Sequence, residues 1–117
     1  MPRFMMMHKM TPDVEAGVPP TPELMQRMGA FIQEAVDAGV LLAGEGLRET
    51  KEATRVVVKD GEATVTDGPF AETKELIAGF AIMQLPDRAE AVQWALRFAD
   101  VLGHDIEMDV RLVVEAP

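Results

Sequence analysis

Across residues 3–10 the side chains alternate with the period of a strand, Phe4, Met6 and His8 on one face and Met5, Met7 and Lys9 on the other. The next ten residues, "TPDVEAGVPP", hold three prolines and a glycine; they predict a loop, long enough to act as a lid. At Thr21 the period changes. Thr21 is a helix N-cap, Pro22 suits the first helical position, and Glu23 suits the positive end of the helix dipole. Leu24, Met28, Phe31, Ile32, Ala35 and Val36 then form one apolar stripe, and Gly39 ends the helix.

"VLLAGEGL" comes next, too short for a helix before its second glycine and bounded like a buried strand. "TRVVVKDGEATVTDG" predicts a hairpin, with Val56 and Val58 on one face, Val57 on the other, and Asp60-Gly61 as a type I′ turn. "IAGFAIMQL" predicts another strand. Asp87 caps a second helix with Glu90 at N3, an inner stripe of Ala91, Ala95, Phe98 and Leu102, and Gly103 as terminator. Val92, Trp94 and Ala99 are placed to widen that stripe. In the last strand Ile106, Met108, Val110, Leu112 and Val114 alternate with Glu107, Asp109 and Arg111.

The order is β-α-β, a hairpin, then β-α-β. It predicts one α+β domain over residues 1–117: a ferredoxin-like split βαβ sandwich with an inserted β-hairpin and helices on one face of the sheet. The two halves show no residue-level repeat. The other sheet face is apolar in part and has to be covered. Pairing with a second copy to form a dimeric α/β barrel is the expected solution, with a ligand cleft between the sheets or between sheet and loops.

Composition narrows the chemistry. The formal charge of −9 opposes phosphate backbones and anionic lipid, so neither direct nucleic-acid binding nor a membrane surface is expected. The N-terminal "MPRFMMMHKM" lacks the apolar run of a signal peptide, and nothing approaches the roughly 20 apolar residues of a membrane span. No cysteine is present, which removes disulfides, thiolate nucleophiles and Cys-ligated metals and suits a cytoplasmic location. Serine is absent too, which excludes serine-hydrolase chemistry. The two histidines show no ligand spacing, so no metal and no cofactor is expected.

Three motifs at their relative positions resemble one family: "GVLLAGEGL" at 39–47, "VTDGPFAETKE" at 65–75 and "GF" at 79–80. Together they are similar to the DGPF subgroup of the YCII-related proteins. The resemblance implies a ferredoxin-like fold paired into a dimeric α/β barrel. For related proteins a His-Asp active site is proposed, and one branch removes chloride from an aromatic ring metabolite. DGPF members often accompany genes for extracytoplasmic-function sigma factors, which implies a regulatory protein partner. Many relatives carry a histidine in the first helix eleven residues before its terminal glycine; counted back from Gly39, that position is Met28 here.

Two readings stand for Asp67: a turn former within Asp-Gly-Pro, or a carboxylate aimed into the dimer cleft as base or anchor. Glu45 lies on a strand face with Leu41, Ala43 and Leu47, beside Gly44 and Gly46. It is read either as an exposed strand end paired with an arginine, or as a site carboxylate needing a partner. His8, Phe70 and Lys74 are the candidate ligand contacts, set against the plainer roles of sheet-rim residue, loop plug and surface ion pair. His104 is expected to be a solvated loop residue. Two functions result: a non-catalytic ligand-binding or regulatory homodimer, or a small enzyme using Asp67 and Glu45 as acid/base carboxylates on a small organic substrate.

Overall fold

The computed structural model describes residues 1–103 and 105–116; the expectation for His104 lies outside them. Among the described residues the order is β1 (Arg3–Lys9), α1 (Pro12–Glu15), α2 (Pro22–Asp37), β2 (Leu41–Gly46), β3 (Thr54–Lys59), β4 (Glu62–Asp67), β5 (Ile77–Gln84), α3 (Arg88–Leu102) and β6 (Met108–Leu112). Two 3₁₀ turns, Thr50–Glu52 and Thr73–Glu75, flank the β3–β4 hairpin. Both arise from the same tetrapeptide, Glu-Thr-Lys-Glu, at 49–52 and 72–75.

The caps explain the helix limits. Thr21 Oγ1 accepts from the Leu24 backbone N–H at 3.0 Å, and an Asp87 carboxylate oxygen from Glu90 N–H at 2.9 Å. Gly39 and Gly103 lie just beyond the helices with φ of 72° and 70°, a left-handed conformation that glycine adopts at no steric cost. In the hairpin turn Asp60 and Gly61 both have positive φ, 52° and 80°, as a type I′ turn requires.

β1, β2, β5 and β6 form an open antiparallel sheet in the order β2-β5-β1-β6; β3 and β4 form a separate two-stranded sheet. The fold is thus mixed α/β with antiparallel sheets, and no barrel closes within the described chain. Cross-strand partners share a face, so the register sorts the side chains. Phe4, Met6 and His8 lie with Gly79, Ala81 and Met83 and with Met108 and Val110 on the helix side. There Phe31 and Ala35 of α2 and Ala91, Ala95 and Phe98 of α3 complete the core, in which Met6 and Met83 have no exposed surface. Neither α2 nor α3 contributes to the opposite face.

Several expectations are corrected. The 11–20 segment contains α1, because Thr11-Pro12-Asp13 repeats the cap signature of Thr21-Pro22-Glu23; Thr11 Oγ1 accepts from Val14 N–H at 3.4 Å. β2 is an edge strand, exposed from Leu42 onward, because it pairs only with β5. The α2 stripe is narrower than its spacing predicts: Phe31 and Ala35 are buried, but Ile32 and Val36 are 44% and 52% exposed, since the sheet covers only one flank. β6 stops at Leu112, and Val114 is 93% exposed beyond the edge of β1.

Candidate functional site

The side of the sheet away from α2 and α3 is the first surface with site character. The register lays Ala43, Ile82, Met5 and Arg111 in one row and Glu45, Phe80, Met7 and Asp109 in the next. Phe80, Ile82, Met5 and Met7 are half-buried at the centre, while Glu45, Asp109 and Arg111 are exposed at the edges. Asp109 forms an ion pair with Lys9 Nζ at 3.2 Å. The result is a flat apolar platform rimmed by charge. It can lie against an apolar or aromatic group while Glu45 accepts a hydrogen bond or faces a cation. Glu45 stands exposed at that rim rather than enclosed by the platform.

His8 is on the other face. Its ring meets Phe98 edge-on, with centroids 5.4 Å apart and planes at 70°. It lies over Gly79, where a Cβ would come within 2.4 Å of Nε2. That close approach explains the glycine of the "GF" pair. His8 and Glu45 therefore sit on opposite sides of one sheet and do not meet within a chain.

Asp67 ends β4 on the hairpin, exposed, and accepts a long hydrogen bond from Thr54 Oγ1 at 3.4 Å. Immediately after it the chain enters a tightly built junction. A Cβ on Gly68 would lie 1.7 Å from the Thr50 carbonyl oxygen, so only glycine fits there. Gly68 N–H donates to the Ala53 carbonyl at 2.9 Å, and Phe70 N–H to Thr50 Oγ1 at 2.9 Å. Thr50, only 6% exposed, donates its N–H to Glu15 Oε1 at 2.7 Å and its hydroxyl to Glu15 Oε2. The Gly68–Pro69 peptide is cis. The half-buried Phe70 ring carries the Arg55 guanidinium 3.9 Å above its centroid. Beside Thr50, the Glu49 carboxyl is held below the ordinary carboxylate range by its own backbone N–H and by Lys51.

Lys74 is exposed in the second 3₁₀ turn and lines a shallow cavity of about 400 Å³ with Lys9, Met10, Thr11 and Asp105. A larger groove of about 510 Å³ runs between α2 and α3, but Arg97 pairs with Glu34 across it, and Arg27 donates to the Asp100 carbonyl at 2.7 Å. Among the described residues no group of three or more His, Asp or Glu side chains is arranged to hold a metal ion. No described helix is long and apolar enough to cross a membrane.

Sequence reasoning did not single out Glu15 or Thr50. Both sit in polar stretches, and nothing local tells that residues 35 positions apart will join. Met28, where the resemblance places a histidine in relatives, packs against the core.

Comparison with known proteins decides the family. The profile of the YCII-related domain matches residues 2–102, which spans all of the sheet and helices except β6. The chain belongs to the YCII-related family. A protein of Rhizobium meliloti (strain 1021), described as uncharacterized, is 36% identical over 72 residues, covering 62% of this YCII-related chain. The chain spans 58% of that relative's length.

Proposed function

We propose that this YCII-related protein is a homodimeric small-molecule-binding module with a regulatory rather than a catalytic role. In this reading the fold is a ferredoxin-like split βαβ sandwich with an inserted hairpin. Two copies oppose the sheet faces away from α2 and α3 as a dimeric α/β barrel, and the ligand lies between them. The observation that carries the reading is the platform of Met5, Met7, Phe80 and Ile82 with Glu45 at its edge. It is apolar enough to require a cover and polar enough at its rim to orient a ligand. Separation of His8 from Glu45 across the sheet supports binding over acid/base chemistry. The sigma-factor association of similar DGPF proteins suggests the regulatory partner, which an acidic surface would meet through basic patches rather than DNA.

The test is a thermal-shift screen of small aromatic and aliphatic amines, acids and neutral metabolites. A ligand at roughly 100 times its Kd adds about 2.7 kcal/mol to native-state stability. The reading predicts a shift that Phe80→Ala and Glu45→Gln both diminish. A shift that survives both substitutions would move the site elsewhere, for example to the Lys74 cavity. The second reading is a small enzyme with Asp67 and Glu45 as acid/base carboxylates, both of which are open to an incoming substrate. Turnover of a screened ligand, abolished by Asp67→Asn, would establish it instead.

A further inference from the structure

The sheet face that α2 and α3 pack on is not covered evenly. Along β1 and β6 the register sets Met6 beside Val110 and Phe4 beside Leu112. Met6 has no exposed surface and Phe4 is buried, yet Leu112 on the same face is 63% exposed. Cover ends at the corner where β6 stops and α3 begins. There Pro2, Phe4, Val92, Val110 and Leu112 line a groove of about 430 Å³, within the roughly 300–1,000 Å³ usual for small-ligand sites.

One charged side chain, Arg88, lines the groove with them. Nothing local explains a cation there. Arg88 is the first residue of α3, where the helix dipole opposes positive charge. Its neighbours on the helix surface, three and four residues on, are Ala91 and Val92 rather than an acid. The Asp87 carboxylate is engaged with Glu90 N–H at 2.9 Å. Arg3, Lys9, Arg48, Lys51 and Arg97 are each paired with a carboxylate. Among the described residues the Arg88 guanidinium has no ion-pair or hydrogen-bond partner. The other cavities lack this combination. In the groove between α2 and α3 both arginines are engaged, and the cavity beside Lys74 is also lined by Asp105 and Glu107, which would repel an incoming anion.

We propose that this corner binds a small monocarboxylate with an apolar body, of the class of a medium-chain fatty acid. Its carboxylate takes two parallel N–H donors from Arg88, and its hydrocarbon lies along Phe4, Val92, Val110 and Leu112 and leaves water there. A single free cation in a chain of net charge −9 selects a small monoanion over a polyanion or an anionic membrane. The site is on the opposite side of the sheet from Glu45 and the platform, and it stands independently of the function proposed above.

Calorimetric titration of the full chain with sodium octanoate, below its micellar concentration, tests the site, and amide chemical shifts locate it. One octanoate per chain is expected, with shifts at Arg88, Val92, Val110 and Leu112; octylamine, equally long but cationic, is expected to leave those amides unmoved. Arg88→Gln weakens octanoate by about tenfold or more and leaves the urea midpoint unchanged. Val92→Glu sets a like charge in the groove and weakens it as well, whereas Phe80→Ala on the platform has no effect. Absence of binding to the wild type, or binding that survives both groove substitutions, overturns the assignment. Shifts confined to Met5, Met7, Phe80 and Ile82 overturn it too, while supporting the platform as the ligand site. Groove shifts that follow protein concentration without octanoate would assign the corner to a second copy and overturn it equally.

Discussion

The four-stranded sheet and the hairpin are both antiparallel and both rich in β-branched or apolar residues, yet their stability has different sources. In the sheet, alternation delivers Met6 and Met83 to a core that α2 and α3 close within the same chain. In the hairpin the same alternation delivers Val56, Val58 and Val65 to a face that the described residues leave exposed. The hairpin is positioned instead by hydrogen bonds and steric fit at its root, centred on the buried Thr50. Apolar burial is cooperative across a core, whereas a junction of a few polar contacts fails when one of them is lost.

The contrast can be broken most sharply at that junction. Gly68→Ala drives a methyl group into the Thr50 carbonyl, and we expect at least about 3 kcal/mol of destabilisation in urea denaturation. In the core, Met83→Ala should cost about 2–5 kcal/mol by cavity formation. Thr50→Val keeps the volume but leaves Phe70 N–H and the Glu15 carboxylate short of partners, at about 1–3 kcal/mol in the same denaturation. Val58→Ala, matched to Met83 in being an apolar strand residue, should change monomer stability by no more than about 0.5 kcal/mol. If the valine proved as costly as the methionine in the monomer, the hairpin would have a cover within the chain.

The smallest effect belongs to the far edge of the sheet. Arg3 donates to both carboxylate oxygens of Glu115, at 2.8 and 3.0 Å. These bonds, and then the charge of Arg3, hold the Glu115 carboxyl below its ordinary range. A depressed carboxylate stabilises the fold above its unfolded pKa, and the contribution is lost as pH falls through the lowered folded value. Glu115→Gln should therefore melt slightly below wild type at neutral pH and together with it in acid. Because the pair is exposed, the neutral-pH gap should also shrink in high salt.

Local signals carry much of the architecture. Thr21 and Asp87 announce their helices because a side-chain oxygen two or three residues ahead of free N–H groups caps them in any context. Asp60-Gly61 announces its turn because few other pairs accept two positive φ values. The same capping logic holds at Thr11-Pro12-Asp13, where the prolines at 19 and 20 mask a short helix. The candidate site is less legible. Glu45 and His8 are near-equivalent in sequence pattern, each a polar residue in an apolar strand. Only the pairing of both strands with β5 reveals that they face opposite ways.

The repeated Glu-Thr-Lys-Glu divides the two kinds of information most cleanly. Both copies form a 3₁₀ turn, because a four-residue backbone preference needs no distant partner. Only the first is buried at its threonine and clamped by Glu15, because that contact depends on where a segment 35 residues earlier in the chain is carried by the fold. Elements, caps and turns come from the chain's own neighbours. Which carboxylate faces the platform, which valines stay exposed, and why residue 68 must be glycine depend on contacts between segments far apart in the chain.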